Sequence, residues 1–197
     1  MSVMTLGKVW PMEDRPLTVD DLRRLPDDGN RYEIVDGVLE VTPAPLGNHE
    51  RAVARLEYAL QRHCPEGLEI LGGVGVNLAS DLHRIPDLVV IREDQFEGGY
   101  QTKPPILAVE VASRSTRKRD RTKKLREYEA FGIETYWIVE PEFERPSLTA
   151  YELAGGRYKQ VGLVAGSETY HADKPFPVTV VPALLVVSGN EWRSGLG

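Results

Sequence analysis

The sequence predicts an α/β domain of the α+β kind: a mixed central sheet flanked by helices, with a hairpin added before it and strands added after it. Three observations predict this. Residues 106–140 read as an apolar run, a basic segment with helical spacing, and a second apolar run. RYEIVDGVLEVTP alternates around Asp36-Gly37, a strong two-residue hairpin signal. Residues 47–63 carry apolar positions at helical spacing.

The totals bound the answer. A chain of 197 residues suffices for one domain with a sizeable core. With 41% hydrophobic and 27% charged residues it is neither disordered nor membrane-like in composition. No apolar run approaches the roughly 20 residues a membrane helix needs. MSVMTLGKVWPMEDR lacks the apolar centre of a signal peptide. The single cysteine, Cys64, rules out an internal disulfide and a Cys-x-x-Cys metal site. Together these predict a cytoplasmic protein. The net charge of −6 argues against a histone-like basic coat, yet the basic residues cluster, so nucleic acid stays open as a partner.

Residues 1–16 carry two prolines and no periodicity, and read as a loose arm. LTVDDLRRLP reads as a short helix: Thr18 caps it, Asp20 and Asp21 suit its positive end, and Pro26 stops it. In the hairpin that follows, alternation sets Tyr32 and Ile34 on one face and Glu33 and Val35 on the other. Over 47–63, His49, Val53, Leu56, Leu60 and His63 form one helical stripe, and Cys64-Pro65 ends it. LEILGGVGVNL reads as one strand, whose glycines suggest a bend or a close backbone approach. HRIPDLVVI is a turn followed by an apolar strand that opens at Asp87, and 93–104 is a polar loop.

ILAVEVA reads as a strand covered on both faces. An ionised carboxylate in its middle, Glu110, costs several kcal/mol unless a cation or donors meet it. The next helix has Ser115 or Thr116 for its N-cap and Gly132 for its C-terminal left-handed residue. Eight of the thirteen residues from Arg114 to Arg126 are Lys or Arg, and Asp120, Lys124 and Tyr128 stack four apart on one face. ETYWIVEP completes a βαβ unit, so its two strands should be parallel neighbours. SLTAYELAGGRYKQVGLV is a hairpin around Gly155-Gly156, PVTVVPALLVV an apolar strand with a terminal cluster, and 188–197 a frayed tail. We read one domain over 1–197.

Four groups carry candidate chemistry: Glu33, Asp87, Glu110 and Lys124. Carboxylate oxygens on neighbouring strands suit a hard divalent cation such as Mg2+ or Mn2+. A lysine beside such an ion can stabilise developing negative charge, which is the chemistry of phosphodiester hydrolysis. Taken singly, each has a plainer reading: Glu33 as hairpin surface, Asp87 as a turn device, Lys124 as one solvated cation among many. Glu110 is the exception, because a glutamate inside a covered strand is rarely idle.

YEIVDGVLEVTP, PDLVVI, LAVEVASRSTRKRD, KKLREY and GIETYWIVEP, in this order, resemble the Uma-type family of restriction endonucleases, a branch of the PD-(D/E)XK nuclease superfamily. The resemblance spans about residues 18–187 and implies a restriction-endonuclease-like core of helix, three strands, helix, strand. Helix 48–63, strands near 68–78, 86–91 and 106–112, helix 116–131 and strand 134–140 fit that order. The resemblance makes Asp87 the motif aspartate and Glu110 the motif acid. Both would bind Mg2+, with the Val111 carbonyl as third ligand, and Glu33 matches an early glutamate. The superfamily lysine falls two residues after the motif acid, where this chain has Ala112. Within the Uma-type family it comes from the following helix, which points to Lys124, with Lys123 as rival.

The implied activity is Mg2+-dependent cleavage of DNA. The basic residues Arg114, Arg117, Lys118, Arg119 and Arg121 are expected to contact phosphate, since no aromatic, Asn or Gln interleaves them for base readout. A nuclease that cuts both strands of a duplex calls for two active sites, so a homodimer is a candidate assembly. Two other readings compete. One is a non-catalytic nucleic-acid-binding module on the same fold. The other is a structural protein whose acids are internal partners of the basic helix.

Overall fold

The computed structural model describes residues 15–42, 47–96, 98–112 and 117–195. Most of the expected loose arm and the helix caps Ser115 and Thr116 lie outside them. A 3-10 turn, Val19–Arg24, follows Thr18, whose backbone N–H donates to the Asp21 carboxylate at 2.8 Å. Strands β1 (Arg31–Val35) and β2 (Val38–Thr42) form the expected hairpin. Asp36 and Gly37 both have positive φ, 52° and 75°, as a type I′ turn requires.

Helix α1 spans Asn48–His63. Ala52, Leu56, Ala59 and Leu60 bury its apolar stripe, but His63, expected on that stripe, is exposed. LEILGGVGVNL is two strands, not one: β3 (Leu68–Gly72) and β4 (Val76–Ala79) belong to different sheets. The glycines between them do more than bend the strand. Gly73 has φ 63°, and a side chain on Gly75 would strike the His83 ring at 2.3 Å, so the chain turns here from one sheet to the other. Then come β5 (Leu82–Arg84), β6 (Leu88–Arg92) and β7 (Leu107–Val111).

Helix α2, residues 117–131, has three consecutive parts: an α-helical turn Arg117–Arg119, a wide π turn Asp120–Lys124, and α-helix Leu125–Phe131. Gly132 ends it in the left-handed conformation at φ 92°. β8 (Thr135–Glu140) runs parallel to β7, as the βαβ reading requires. The hairpin of β9 (Ser147–Ala154) and β10 (Arg157–Ala165) follows. β11 (Tyr170–Ala172) and β12 (Val178–Val180) precede two short helices, α3 (Pro182–Val186) and α4 (Trp192–Gly195). The tail expected to fray thus carries α4. Trp192 packs edge-on to Tyr58 and lies under the Arg55 guanidinium, which holds the segment to α1.

The six-stranded sheet runs β10-β9-β8-β7-β6-β3, and β7–β8 is its parallel pair. A second sheet runs β2-β1-β5-β4. Along the large sheet the core order is α1, β3, β6, β7, α2, β8, the helix, three strands, helix, strand that was expected. β4 and β5 are an excursion into the second sheet. On one face Val109, Val111, Trp137 and Val139 pack with Leu56 and Leu60 of α1. On the other, Ala108, Ala112, Tyr136 and Ile138 pack with Tyr128 of α2. Both faces of β7 are therefore covered, and this explains why it is apolar apart from Glu110. Each fully buried aliphatic side chain contributes roughly 1.5–3 kcal/mol. Among the described residues no helix is long and apolar enough to cross a membrane.

Candidate active site

Alternation along β7 decides where Glu110 points. Val109 and Val111 face α1, so Glu110 shares the α2 face with Ala108 and Ala112. These two small neighbours leave room beneath α2 for a longer side chain. The π turn lies directly above. Lys124 reaches down from its end and places Nζ 2.7 Å from Glu110 Oε1. Tyr128, one turn further along, donates its hydroxyl to the same oxygen at 2.6 Å. Lys124 is only 3% exposed, whereas the Lys123 side chain is 43% exposed and pairs with Asp36 at 2.7 Å. The structure brings Lys124, and not Lys123, to Glu110.

Glu33 is buried, contrary to a hairpin-surface reading. Its Oε1 accepts the Ile85 backbone N–H at 2.9 Å and lies 3.7 Å from Lys124 Nζ; its Oε2 accepts Arg84 Nη1 at 3.1 Å. Asp120 Oδ1 lies 3.8 Å from Lys124 Nζ, so three carboxylates surround this amine. Asp87, just before β6, meets the site through Val111, whose N–H donates to Asp87 Oδ2 at 2.7 Å. Arg31 holds Asp87 Oδ1 at 2.6 Å, and His49 Nε2 lies 3.2 Å from Oδ2.

The electrostatics separate the acids. Burial pushes the Glu110 carboxyl up to about 7; Lys124 opposes this, but the charges of Asp120, Asp87 and Glu33 add to it. Burial also works against ionised Glu33, yet Lys124, Arg84 and the Ile85 N–H hold it below its ordinary value. Asp87 is likewise penalised by burial and held down by His49 and Arg31. Burial would lower Lys124, but Glu110, Glu33 and Asp120 raise it, so it stays protonated. Burial is thus the main reason the Glu110 carboxyl sits high, and the neighbouring carboxylates add to it.

Among the described residues no three acidic, histidine or cysteine side chains are grouped as a ready metal site. The donors that the family resemblance implies, the Asp87 and Glu110 carboxylates and the Val111 carbonyl, are all hard oxygens, and in chemistry they suit a divalent cation of the Mg2+ type.

The basic helix is tied to carboxylates of the fold. Arg117 pairs with Glu142 and, at 3.2 Å, with Glu140; Arg121 pairs with Glu140 at 2.7 Å; Arg119 pairs with Glu40 at 2.7 Å. These three cations tie α2 to neighbouring strands and the loop after β8. Lys118 is exposed. Arg114 lies outside the described residues. Sequence reasoning missed Arg31 and Arg84 altogether, took His49 only for its position on an apolar stripe, and set Tyr128 on one face with Asp120 and Lys124 without giving it a role. The four-residue spacing of Asp120, Lys124 and Tyr128 was the one signal that could have found Tyr128.

The fold and this set of acids with one lysine define a restriction-endonuclease-like α+β domain. The chain belongs to the Uma2 family, described as "Putative restriction endonuclease", whose model matches residues 19–187. Among solved structures it is similar to one titled a "putative nuclease belonging to DUF820" from Anabaena variabilis. The two share 16% identity with a TM-score of 0.63, over 81% of this chain and 90% of the other. No curated protein matches the chain.

Proposed function

We propose that this protein is a metal-dependent endonuclease that hydrolyses phosphodiester bonds in DNA. The observation that carries the reading is the buried Lys124 amine 2.7 Å from Glu110, on the α2 face of β7. Asp87, Glu110 and the Val111 carbonyl would hold Mg2+ or Mn2+. When bound, such a cation supplies a Lewis acid for a phosphoryl oxygen and lowers the pKa of water.

The chain's own residues do the rest. Tyr128 fixes the Glu110 carboxyl by its 2.6 Å hydrogen bond. Arg31 and His49 keep Asp87 ionised and oriented. Lys124, kept protonated by three carboxylates, stabilises negative charge that develops on the phosphate. Glu33 holds the amine from its other side. DNA phosphates meet exposed cations such as Lys118, and a homodimer would bring two such sites to one duplex.

The test is cleavage of supercoiled and linear DNA with Mg2+ or Mn2+, beside calorimetric titration of the metal. Cleavage by the wild type and none by Glu110→Gln or Lys124→Ala supports the proposal. Absence of both cleavage and metal-binding heat in the folded wild type would overturn it.

A further inference from the structure

Arg84 has no exposed surface, and nothing in the proposed chemistry uses it. It leaves the end of β5 and makes a fork onto α2: Nε donates to Glu127 Oε2 at 2.8 Å and Nη2 to Glu127 Oε1 at 2.9 Å. Its third nitrogen, Nη1, donates to Glu33 Oε2 at 3.1 Å and lies 3.6 Å from Glu40. One guanidinium thus joins the second sheet, through Glu33 and Glu40, to the helix that carries Lys124. Such a two-pronged contact fixes direction as well as distance, which a single point charge cannot do.

The fork matters because of where Glu127 sits. It lies three residues past Lys124 and one before Tyr128, the two side chains that meet Glu110. The π turn is anchored on its other side as well: the buried Tyr136 hydroxyl donates to the Asp120 carbonyl at 3.1 Å. A π turn is a rare, wide irregularity that needs outside support. The second effect is charge. Arg84 supplies Glu33 with a cation of its own. Lys124 is then left to Glu110, at 2.7 Å against 3.7 Å to Glu33.

We infer that Arg84 and Glu127 are a positioning pair that docks α2 on the second sheet and thereby fixes the Lys124 amine on Glu110. The inference rests on the site described above, but not on whether that site cleaves DNA.

The test is competitive acetylation of the full-length protein, read by mass spectrometry at Lys124 and at the exposed Lys103, Lys159 and Lys174. Glu127→Gln keeps the side-chain volume and leaves Arg84 its contact with Glu33. Losing a hydrogen bond to a charged group removes enough free energy to raise the open population about tenfold, or about 1.4 kcal/mol. Lys124 acetylation should therefore rise about tenfold in Glu127→Gln while the three exposed lysines react as before.

Glu127→Asp, which keeps the charge on a shorter arm, should restore part of the protection; it also serves if Glu127→Gln does not fold. In a preparation that cleaves DNA, the same variant should lower kcat and leave KM unchanged. Lys124 protection equal to the wild type in a folded Glu127 variant would overturn the inference. So would an equal rise at all four lysines, which marks general loosening. Neither outcome depends on nuclease activity, so the inference and the proposed function fail separately.

Discussion

Glu110→Gln separates the charge of this carboxyl from its shape. The wild-type carboxyl titrates near 7 in the fold against an ordinary value of 4.5, mainly because it is buried, with Asp120, Asp87 and Glu33 adding to the rise. A carboxyl with a raised pKa binds its proton more tightly when folded. Its contribution is fully present below pH 4.5 and is lost as the pH rises through 7. At about 1.4 kcal/mol per pH unit, the loss across that window is about 3 kcal/mol.

Glutamine does not titrate, so the variant escapes this loss. The lysine is not stranded, because Glu33 and Asp120 remain at 3.7 and 3.8 Å. Urea unfolding of both proteins at pH 4 and pH 8, without metal, gives the check. The wild-type stability minus that of Glu110→Gln should fall by about 3 kcal/mol between the two pH values. Mg2+ at 100 times its Kd should then return about 2.7 kcal/mol to the wild type at pH 8 and nothing to the variant. A difference between the two proteins that does not change with pH would refute the account of Glu110 as a carboxyl raised by burial and neighbouring carboxylates.

Four further outcomes follow from the same geometry. Lys124→Ala should abolish cleavage while metal binding, measured by calorimetry, survives; removing the buried partner of Glu110 should also cost about 3 kcal/mol in urea unfolding. Arg121→Ala should lower stability by about 1 kcal/mol, because the buried Glu140 loses its 2.7 Å partner. Lys118→Ala should instead weaken binding to unrelated DNA duplexes alike and reduce the salt slope by about one, as read by fluorescence anisotropy over a salt series. Ala112→Lys in the Lys124→Ala background should recover part of the lost unfolding free energy, whereas in the wild-type background it should destabilise.

Much of the fold was legible because periodicity and turn chemistry act locally. The Asp36-Gly37 turn, the α1 stripe, the Gly132 stop and the parallel β7–β8 pair follow from a few residues each. The split of LEILGGVGVNL was not legible, because its apolar residues keep one phase across Gly72 and Gly73 although the chain changes sheets there. His63 looked like core by spacing, but it ends α1, and the last turn of the helix extends beyond the packed face.

The site was legible in its acids and only partly in its partners. Glu110 drew notice because a charge in a covered strand demands compensation, and that demand is visible in one dimension. Arg84, the partner of Glu33, and Arg31, the partner of Asp87, reach the site from distant strands only by tertiary placement, so no local pattern marks them. The partners of the basic residues on α2 were hidden for a related reason. Arg117, Arg119 and Arg121 pair with Glu142, Glu40 and Glu140, which charge density in the sequence does not show. Composition counts cations, but only the fold says which already have a carboxylate.

The displaced lysine has a physical reading of its own. In a strand, residues two apart share a face. A lysine at 112 would therefore stand on the same side of β7 as Glu110. Here that position is a buried alanine packed with Tyr128 and Ile138. The alanine vacates the space that a strand-borne lysine would fill, and Lys124 enters it from above. The two arrangements deliver an amine to one place from different elements. The helix route makes the amine depend on how α2 is docked. A strand lysine is positioned by the ladder itself; Lys124 is positioned by the π turn and whatever holds it. Arg84, Glu127 and the Tyr136 hydroxyl supply that support, and the burial of Arg84 and Tyr136 keeps most of it inside the protein, away from solvent and salt.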